Sequence, residues 1–142
     1  MSIFVQMAIG IAMLAITVAI NAYCIVKSGT VLDKMQTTIL GPAKTNLHIL
    51  TITVITLWLS LVMLCAMVLW AALLSGLGLF ETMIDALYFS MISFTTLGFG
   101  DVLLPREWGL LSGFIATDGF ILFGLNTATL FEVLRRLRDT GG

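Results

Sequence analysis

The sequence predicts an all-α membrane protein with three transmembrane helices and one shorter helix that enters the membrane and turns back. Composition is the first observation: 59% of the 142 residues are hydrophobic and 11% are charged, against about 25% charged in soluble domains. The second is three apolar runs, each long enough to cross a bilayer. The third is a short apolar segment and a glycine-rich loop between the second and third runs. A single membrane domain is expected.

The first transmembrane helix is predicted within residues 1–26. The run Ile3 to Val26 is interrupted only by Gln6, Thr17 and Asn21, and about 24 helical residues span about 36 Å, enough to cross with some tilt. A cleaved signal peptide is the alternative, but it would begin with positive charge and have a shorter apolar core. The first cation is Lys27, after the run. We therefore expect a retained helix with its N-terminus outside the cell.

Residues 27–46 are predicted to form a cytoplasmic connector. Short loops rich in lysine face the cytoplasm, and this segment has three lysines against one acid, Asp33. Apolar residues recur at helical spacing until Gly41 and Pro42 interrupt them. They are Val31, Leu32, Met35, Ile39 and Leu40. A short helix lying in the membrane interface is expected, with a plain tether as the alternative and a role in gating left open.

Residues 47–138 are predicted to form the main membrane unit, which begins with an outer helix over 47–77. The short helix that follows, over 82–94, is too short to span the membrane and should enter from outside. Thr82 is a good N-cap, and Glu81 and Asp85 lie near the positive end of the helix dipole. Non-helical backbone survives at membrane depth only when protein surrounds it or it lines a watery cavity. The C-terminal end of this helix should therefore favour a cation near the membrane centre.

The loop after this helix, residues 95–101, carries the clearest pattern of the chain. Gly98 and Gly100 alternate with Leu97 and Phe99, and glycine adopts backbone angles that side chains disfavour, so consecutive carbonyls can point the same way. Aligned carbonyl oxygens can replace the water shell of a cation, and Thr96 adds a hydroxyl.

The letters T-L-G-F-G-D, from Thr96 to Asp101, resemble the selectivity filter of potassium channels, whose usual form is T-V-G-Y-G-D. The resemblance extends over about residues 47 to 135. It implies a homotetramer, since one chain supplies a quarter of each oxygen ring, and potassium as the permeant ion with no cofactor. The implied potassium-binding residues are Thr96, Leu97, Gly98, Phe99 and Gly100. The residues implied to support the filter are Thr95, Asp101, Tyr88 and Phe89.

Three positions depart from the usual pattern. Phe99 replaces a tyrosine whose hydroxyl could tie the filter to its surroundings, and Leu97 replaces the stiffer valine. Ile92 stands where some channels have a carboxyl that bonds the filter aspartate. Asp101 should then find another partner, with Arg106 or water as the candidates.

The third transmembrane helix is predicted over 109–135 and is followed by Arg135, Arg136 and Arg138, which also indicate a cytoplasmic end. Residues 123–128 resemble the inner helix of simple potassium channels, and Gly119 falls where a hinge glycine is expected. One face of this helix should line the pore and could close by dewetting, although its phenylalanines suit helix packing equally well. Its residues are Phe120, Phe123, Thr127, Phe131 and Leu134.

Asp118 is the one carboxylate deep in this third helix. A charge there costs about 2.5–3.5 kcal/mol on insertion scales, so it should have a partner or be protonated. Its angular distance of about 200° from Phe120 predicts that it faces away from the ion path. Hydrogen bonding behind the filter is favoured over direct ion contact.

The remaining polar residues give few signs of other chemistry. Cys24 and Cys65 lie in apolar segments and are expected to be buried thiols rather than a disulfide. His48, at the inner boundary, is expected to be interfacial, with a pH sensor as the alternative. No nucleophile–base pair or metal-ligand spacing is visible, so an enzyme is not expected, and the net charge of −1 gives no sign of a nucleic-acid partner.

The predicted function is passive, potassium-selective conduction in the cell membrane. No span carries the repeated arginines of a voltage sensor, and regulation is expected from the filter, the lipid, the inner helices or a separate regulatory subunit. Two alternatives stay open: a weakly selective cation channel, because of Leu97 and Phe99, and a non-conducting subunit that uses the same fold.

Overall fold

The protein was analysed as a computed structural model, which describes residues 3–39 and 45–140, and the side chains of 3–29 and 48–138. Four α-helices follow one another: α1 Ile3–Ile39, α2 Thr45–Gly76, α3 Met83–Phe94 and α4 Leu110–Thr140, with a 3-10 turn at Arg106–Trp108 before α4. Within α1, α2 and α4 lie segments long and apolar enough to cross a membrane, namely Ile3–Gly29, His48–Gly76 and Leu110–Arg138. The chain is thus an all-helical membrane protein.

The first helix is longer than its apolar run. It continues without a break through the lysine-rich segment to Ile39, where the sequence predicted a connector with a separate short helix. The expected stop at Gly41 and Pro42 lies outside the described residues, as do the apolar side chains of 31–40. The interfacial placement of this segment therefore stays a prediction.

Backbone capping explains how α2 ends and α3 begins. Gly78 has a positive φ of 69°, and the N–H of Leu79 donates to the carbonyl of Leu74 at 3.1 Å, as in a glycine-terminated helix end. At the start of α3, Thr82 accepts a hydrogen bond from the N–H of Asp85 at 3.1 Å. α3 is consequently a short, separately capped helix with the bounds expected from the sequence.

The core lies where α2, α3 and α4 meet. Its largest member is Trp70, which is fully buried together with Leu74 of α2 and Leu111 and Ile115 of α4. A second cluster joins Ile55 and Leu59 of α2 to Val133 and Leu137 of α4. The start of α2 therefore packs against the end of α4, and the end of α2 packs against the start of α4. These two helices run antiparallel.

The first helix packs mainly against α4 and runs parallel to it. Gly10 lies against the ring of Phe114, and further along both helices Thr17 bonds Asp118. The prediction that Cys65 is buried is wrong: Cys65 is exposed on α2 and Cys24 is half-buried, and both are free thiols. An exposed position on a long apolar helix faces lipid or a neighbouring chain, so burial from water does not require burial in the protein.

Gly119 lies at the closest approach between α4 and α3. A Cβ built at this position would overlap the carbonyl oxygen of Phe94, the last residue of α3, and would lie 2.9 Å from its ring. α4 is continuous through Gly119. The structure thus gives this glycine a packing reason, while its role as a hinge stays a prediction.

We predict that Gly119→Ala lowers thermal stability in detergent. The added methyl must push α4 away from the end of α3, and overpacking of this kind costs roughly 1–3 kcal/mol. Gly113→Ala is the matched control, because it lies on the same helix with no atom within 4 Å of the added Cβ. Equal melting temperatures for the two variants would contradict the prediction.

Candidate ion-conduction site

The glycine-rich loop, residues 95–101, leaves α3 through main-chain hydrogen bonds to the last carbonyls of that helix. The N–H of Thr95 donates to Met91 at 3.0 Å, and the N–H of Thr96 donates to Ser93 at 2.9 Å. The hydroxyl of Thr95 adds a bond to the Met91 carbonyl at 2.8 Å. Thr95 thus fastens the start of the loop to the helix through its main chain and its side chain.

Two further N–H groups share one acceptor. Leu97 and Gly98 both donate to the carbonyl oxygen of Ile92, at 2.9 Å and 3.2 Å. In a trans peptide the carbonyl of the preceding residue points opposite to the N–H, and none of the described peptide bonds is cis. The carbonyls of Thr96 and Leu97 therefore both point away from α3, on the same side of the chain.

The backbone angles of the loop alternate. Thr96, Gly98 and Gly100 have positive φ values of 58°, 52° and 79°, and Leu97 and Phe99 do not. Thr96 is the only residue other than glycine with positive φ in the described ranges, a conformation disfavoured by a Cβ. This conformation persists because its neighbours' N–H groups are held by α3. The spacing of the glycines pointed to unusual backbone angles at Gly98 and Gly100, but not to the positive φ of Thr96.

The far end of the loop is tied to α3 by a side-chain pair. The hydroxyl of Tyr88 donates to Oδ2 of Asp101 at 2.7 Å. The sequence had offered Arg106 or water as the partner of Asp101 and had not singled out Tyr88. The loop doubles back along α3, which brings position 101 level with position 88. Phe99 has no hydroxyl with which to fix the loop to its surroundings. The hydroxyl of Tyr88 on α3 makes such a bond instead, to Asp101.

The two aromatic residues predicted to support the filter have different surroundings. Phe89 is buried and packs against Phe80 at 5.4 Å between ring centroids. Tyr88 is partly exposed and reaches the loop through its hydroxyl. Sequence reasoning placed both beside the filter but did not separate the core aromatic from the one that bonds the loop.

The predicted pore-lining residues lie on the face of α4 that points away from the rest of the chain. Phe120, Phe123 and Phe131 are 77%, 65% and 68% exposed, and Thr127 is exposed beside them. The opposite face of the helix is buried and carries Asp118, Leu122, Asn126 and Val133. This division follows the helical period and explains why three phenylalanines on one helix are exposed.

Asp118 lies on the buried face, with no exposed surface. Thr17 approaches both carboxyl oxygens with its hydroxyl, at 2.8 Å and 2.7 Å, and Trp70 donates to Oδ2 from Nε1 at 2.7 Å. The sequence predicted hydrogen bonding for Asp118 but named neither partner. Two sequence features could have indicated these partners. Thr17 is a polar residue within the first apolar run, and Trp70 carries an indole N–H donor within the second.

The fold and the loop define a class of protein: a membrane protein in which a short helix enters between two long ones and returns through a glycine-rich segment. A family model described as ion channel matches residues 51–136, which include most of α2, all of α3 and the loop, and most of α4. The chain belongs to this ion-channel family. Searches of curated proteins and of solved structures found no match. Among the described residues, no group of three or more His, Cys, Asp or Glu could hold a metal ion.

We predict that Tyr88→Phe raises the pKa of Asp101. The Tyr88 hydroxyl holds the pKa of this carboxyl below its ordinary value, because it donates to the ionised form. Because the pKa is lowered, the Tyr88–Asp101 hydrogen bond contributes fully to stability above the ordinary carboxyl pKa of about 3.9. This contribution is lost as the pH falls through the lowered pKa. Carboxyl NMR of labelled Asp101 in nanodiscs measures the shift.

The control for this measurement is Tyr23→Phe, which removes the other tyrosine of the chain. Tyr23 lies on α1 with its ring 5.6 Å from the Lys27 ammonium. An Asp101 pKa that moves equally in both variants, or in neither, would show that the Tyr88 bond is not made in solution.

Proposed function

We propose that the chain assembles as a homotetramer and conducts potassium selectively and passively through a filter of main-chain oxygens. Potassium is the permeant ion, and Thr96, Leu97, Gly98 and Phe99 supply carbonyls that replace its hydration shell, with Gly100 closing the segment. The Thr96 hydroxyl adds a ligand at the inner end. Membership of the ion-channel family supports conduction, and the loop supports the choice of ion.

The observation that carries the proposal is the shared acceptor at Ile92. Because Leu97 and Gly98 both donate to this oxygen, two consecutive carbonyls lie on one side of the chain. The positive φ values at Gly98 and Gly100 continue the same alternation toward Asp101. An extended strand would instead turn successive carbonyls to opposite sides and could not line a row of cation sites.

The exposed apolar surface supports assembly. Leu97 and Phe99 are 56% and 65% exposed. Together with the phenylalanines of α4 they form apolar surfaces that other copies of the chain could cover. One chain supplies one oxygen per level, so a ring of oxygens needs several copies around an axis. In a tetramer, Leu97 and Phe99 would pack between neighbouring chains, and Phe120, Phe123 and Phe131 would approach the ion path as a charge-free constriction.

The orientation proposed is N-terminus outside and C-terminus cytoplasmic. α1 and α4 run parallel, and Ser28 and Arg136 line the same groove between them. Lys27 thus lies at the same end of the molecule as Arg135 and Arg138. Clustered cations at one end favour the cytoplasmic side, and the filter then opens outward.

We predict that the purified protein in liposomes carries a potassium flux, and that Gly98→Ala abolishes it without preventing assembly. Alanine at φ of 52° costs roughly 1–2 kcal/mol and turns the peptide that must face the ion. Gly113→Ala, in open space on α4, serves as the control and should conduct normally. Light scattering of the detergent complex measures the number of copies.

Reversal potentials in opposed potassium and sodium gradients decide between the proposed function and its alternatives. A potential that follows potassium supports the selective channel. Equal permeability of the two ions would favour a weakly selective cation channel, and a wild-type tetramer without flux would favour a non-conducting subunit.

A further inference from the structure

Three transmembrane helices meet at one buried carboxyl group. Asp118 of α4 is bonded by Thr17 of α1 and Trp70 of α2, with all three distances at or below 2.8 Å. Thr17 and Trp70 are themselves buried, at 1% and 0% exposure. A carboxyl group in the middle of a membrane helix is costly unless it is paired, so these two donors fix the relative positions of the three helices at this level.

The next residue of α4 lies against the base of the filter. Gly119 approaches the carbonyl and ring of Phe94 so closely that no side chain fits. Phe94 is the last residue of α3, and the filter segment begins at Thr95. α4 thus bonds α1 and α2 through Asp118. Through the next residue, Gly119, it contacts Phe94, directly before the start of the filter.

The first helix is fitted to this position rather than placed loosely in the lipid. Gly10 accommodates the ring of Phe114, about one turn before Asp118 on α4. Gln6, Thr17 and Asn21, the polar interruptions of the apolar run, are all buried against the protein. α1 lies outside the region matched by the family model, which starts at residue 51. The family region alone therefore does not contain the contact that Thr17 makes.

We propose that Thr17 and Asp118 are positioning residues for the filter, through which α1 holds α4 against Phe94. The inference rests on the proposed function for its effect on ions, but its first consequence is structural. When the Thr17 hydroxyl is removed, α4 loses one of its two fixed points at Asp118. The contact at Gly119 loosens, and the N–H groups of Leu97 and Gly98 are held less firmly by Ile92.

The test compares Thr17→Val with Thr53→Val in the full-length protein. Both replace a threonine hydroxyl by a methyl group of similar size. Thr53 is the matched control, because it is exposed on α2 and its hydroxyl donates to the Ile49 carbonyl of its own helix, at 2.9 Å. Hydrogen–deuterium exchange of the peptide covering 92–98, in liposomes, reports the amides at the filter base.

We expect the amides of Leu97 and Gly98 to exchange about tenfold faster in Thr17→Val, the size expected for loss of about one buried hydrogen bond. Thr53→Val and Thr17→Ser, which keeps the hydroxyl at position 17, should exchange like the wild type. Asp118→Asn should resemble Thr17→Val, and if it does not fold, Thr17→Val alone carries the test. The potassium-to-sodium permeability ratio should fall in the variants that exchange faster.

Unchanged exchange in Thr17→Val would overturn the proposal, whatever the flux. Exchange that rises equally across all four helices would also overturn it, because it would indicate a general loss of stability. Faster exchange confined to 92–98 in a protein that carries no current would contradict the proposed function and leave the positioning role supported. Faster exchange with an unchanged permeability ratio would overturn the claimed effect on selectivity.

Discussion

The main-chain oxygen of Ile92 is the acceptor on which the site depends. It receives the N–H groups of Leu97 and Gly98, and it can do so because it belongs to the last turn of α3, where helical carbonyls have no partner within the helix. The carbonyl at the helix end needs a donor, and the N–H groups of the loop need acceptors. The two are satisfied by bonding each other. The carbonyls of Thr96 and Leu97 are left to point away from α3.

The rest of the chain keeps that helix end in place. Thr82 caps the start of α3, Phe89 anchors its buried side, and Tyr88 holds the C-terminal end of the loop through Asp101. Gly119 brings α4 against Phe94, where the loop leaves α3. The loop of residues 95–101 is short and would be strained on its own, since Thr96 has positive φ. Contacts at both ends, rather than local preference, maintain it.

Two carboxyl groups of α4 have opposite surroundings. Within the membrane-crossing helices Asp118 is buried and bonded by Thr17 and Trp70. Near the end of α4, Glu132 instead pairs with the exposed Arg135 and Arg136, each at 2.9 Å. Surface pairs of this kind contribute little to stability, whereas a buried carboxyl group without its donors would be strongly unfavourable. Removing the donors of Asp118 should therefore destabilise the protein more than breaking the ion pairs of Glu132.

The sequence alone determined the membrane class, the short helix with its Thr82 cap, and the alternation at Gly98 and Gly100, because run length, capping chemistry and glycine spacing are local properties. It also placed Phe120 and Asp118 on opposite faces, through the helical period. Only the tertiary structure decided that Asp101 bonds Tyr88, that Asp118 bonds Thr17 and Trp70, and that Gly119 meets Phe94. The first depends on how the loop folds back along α3, and the other two depend on how separate helices pack against one another, which no local pattern encodes.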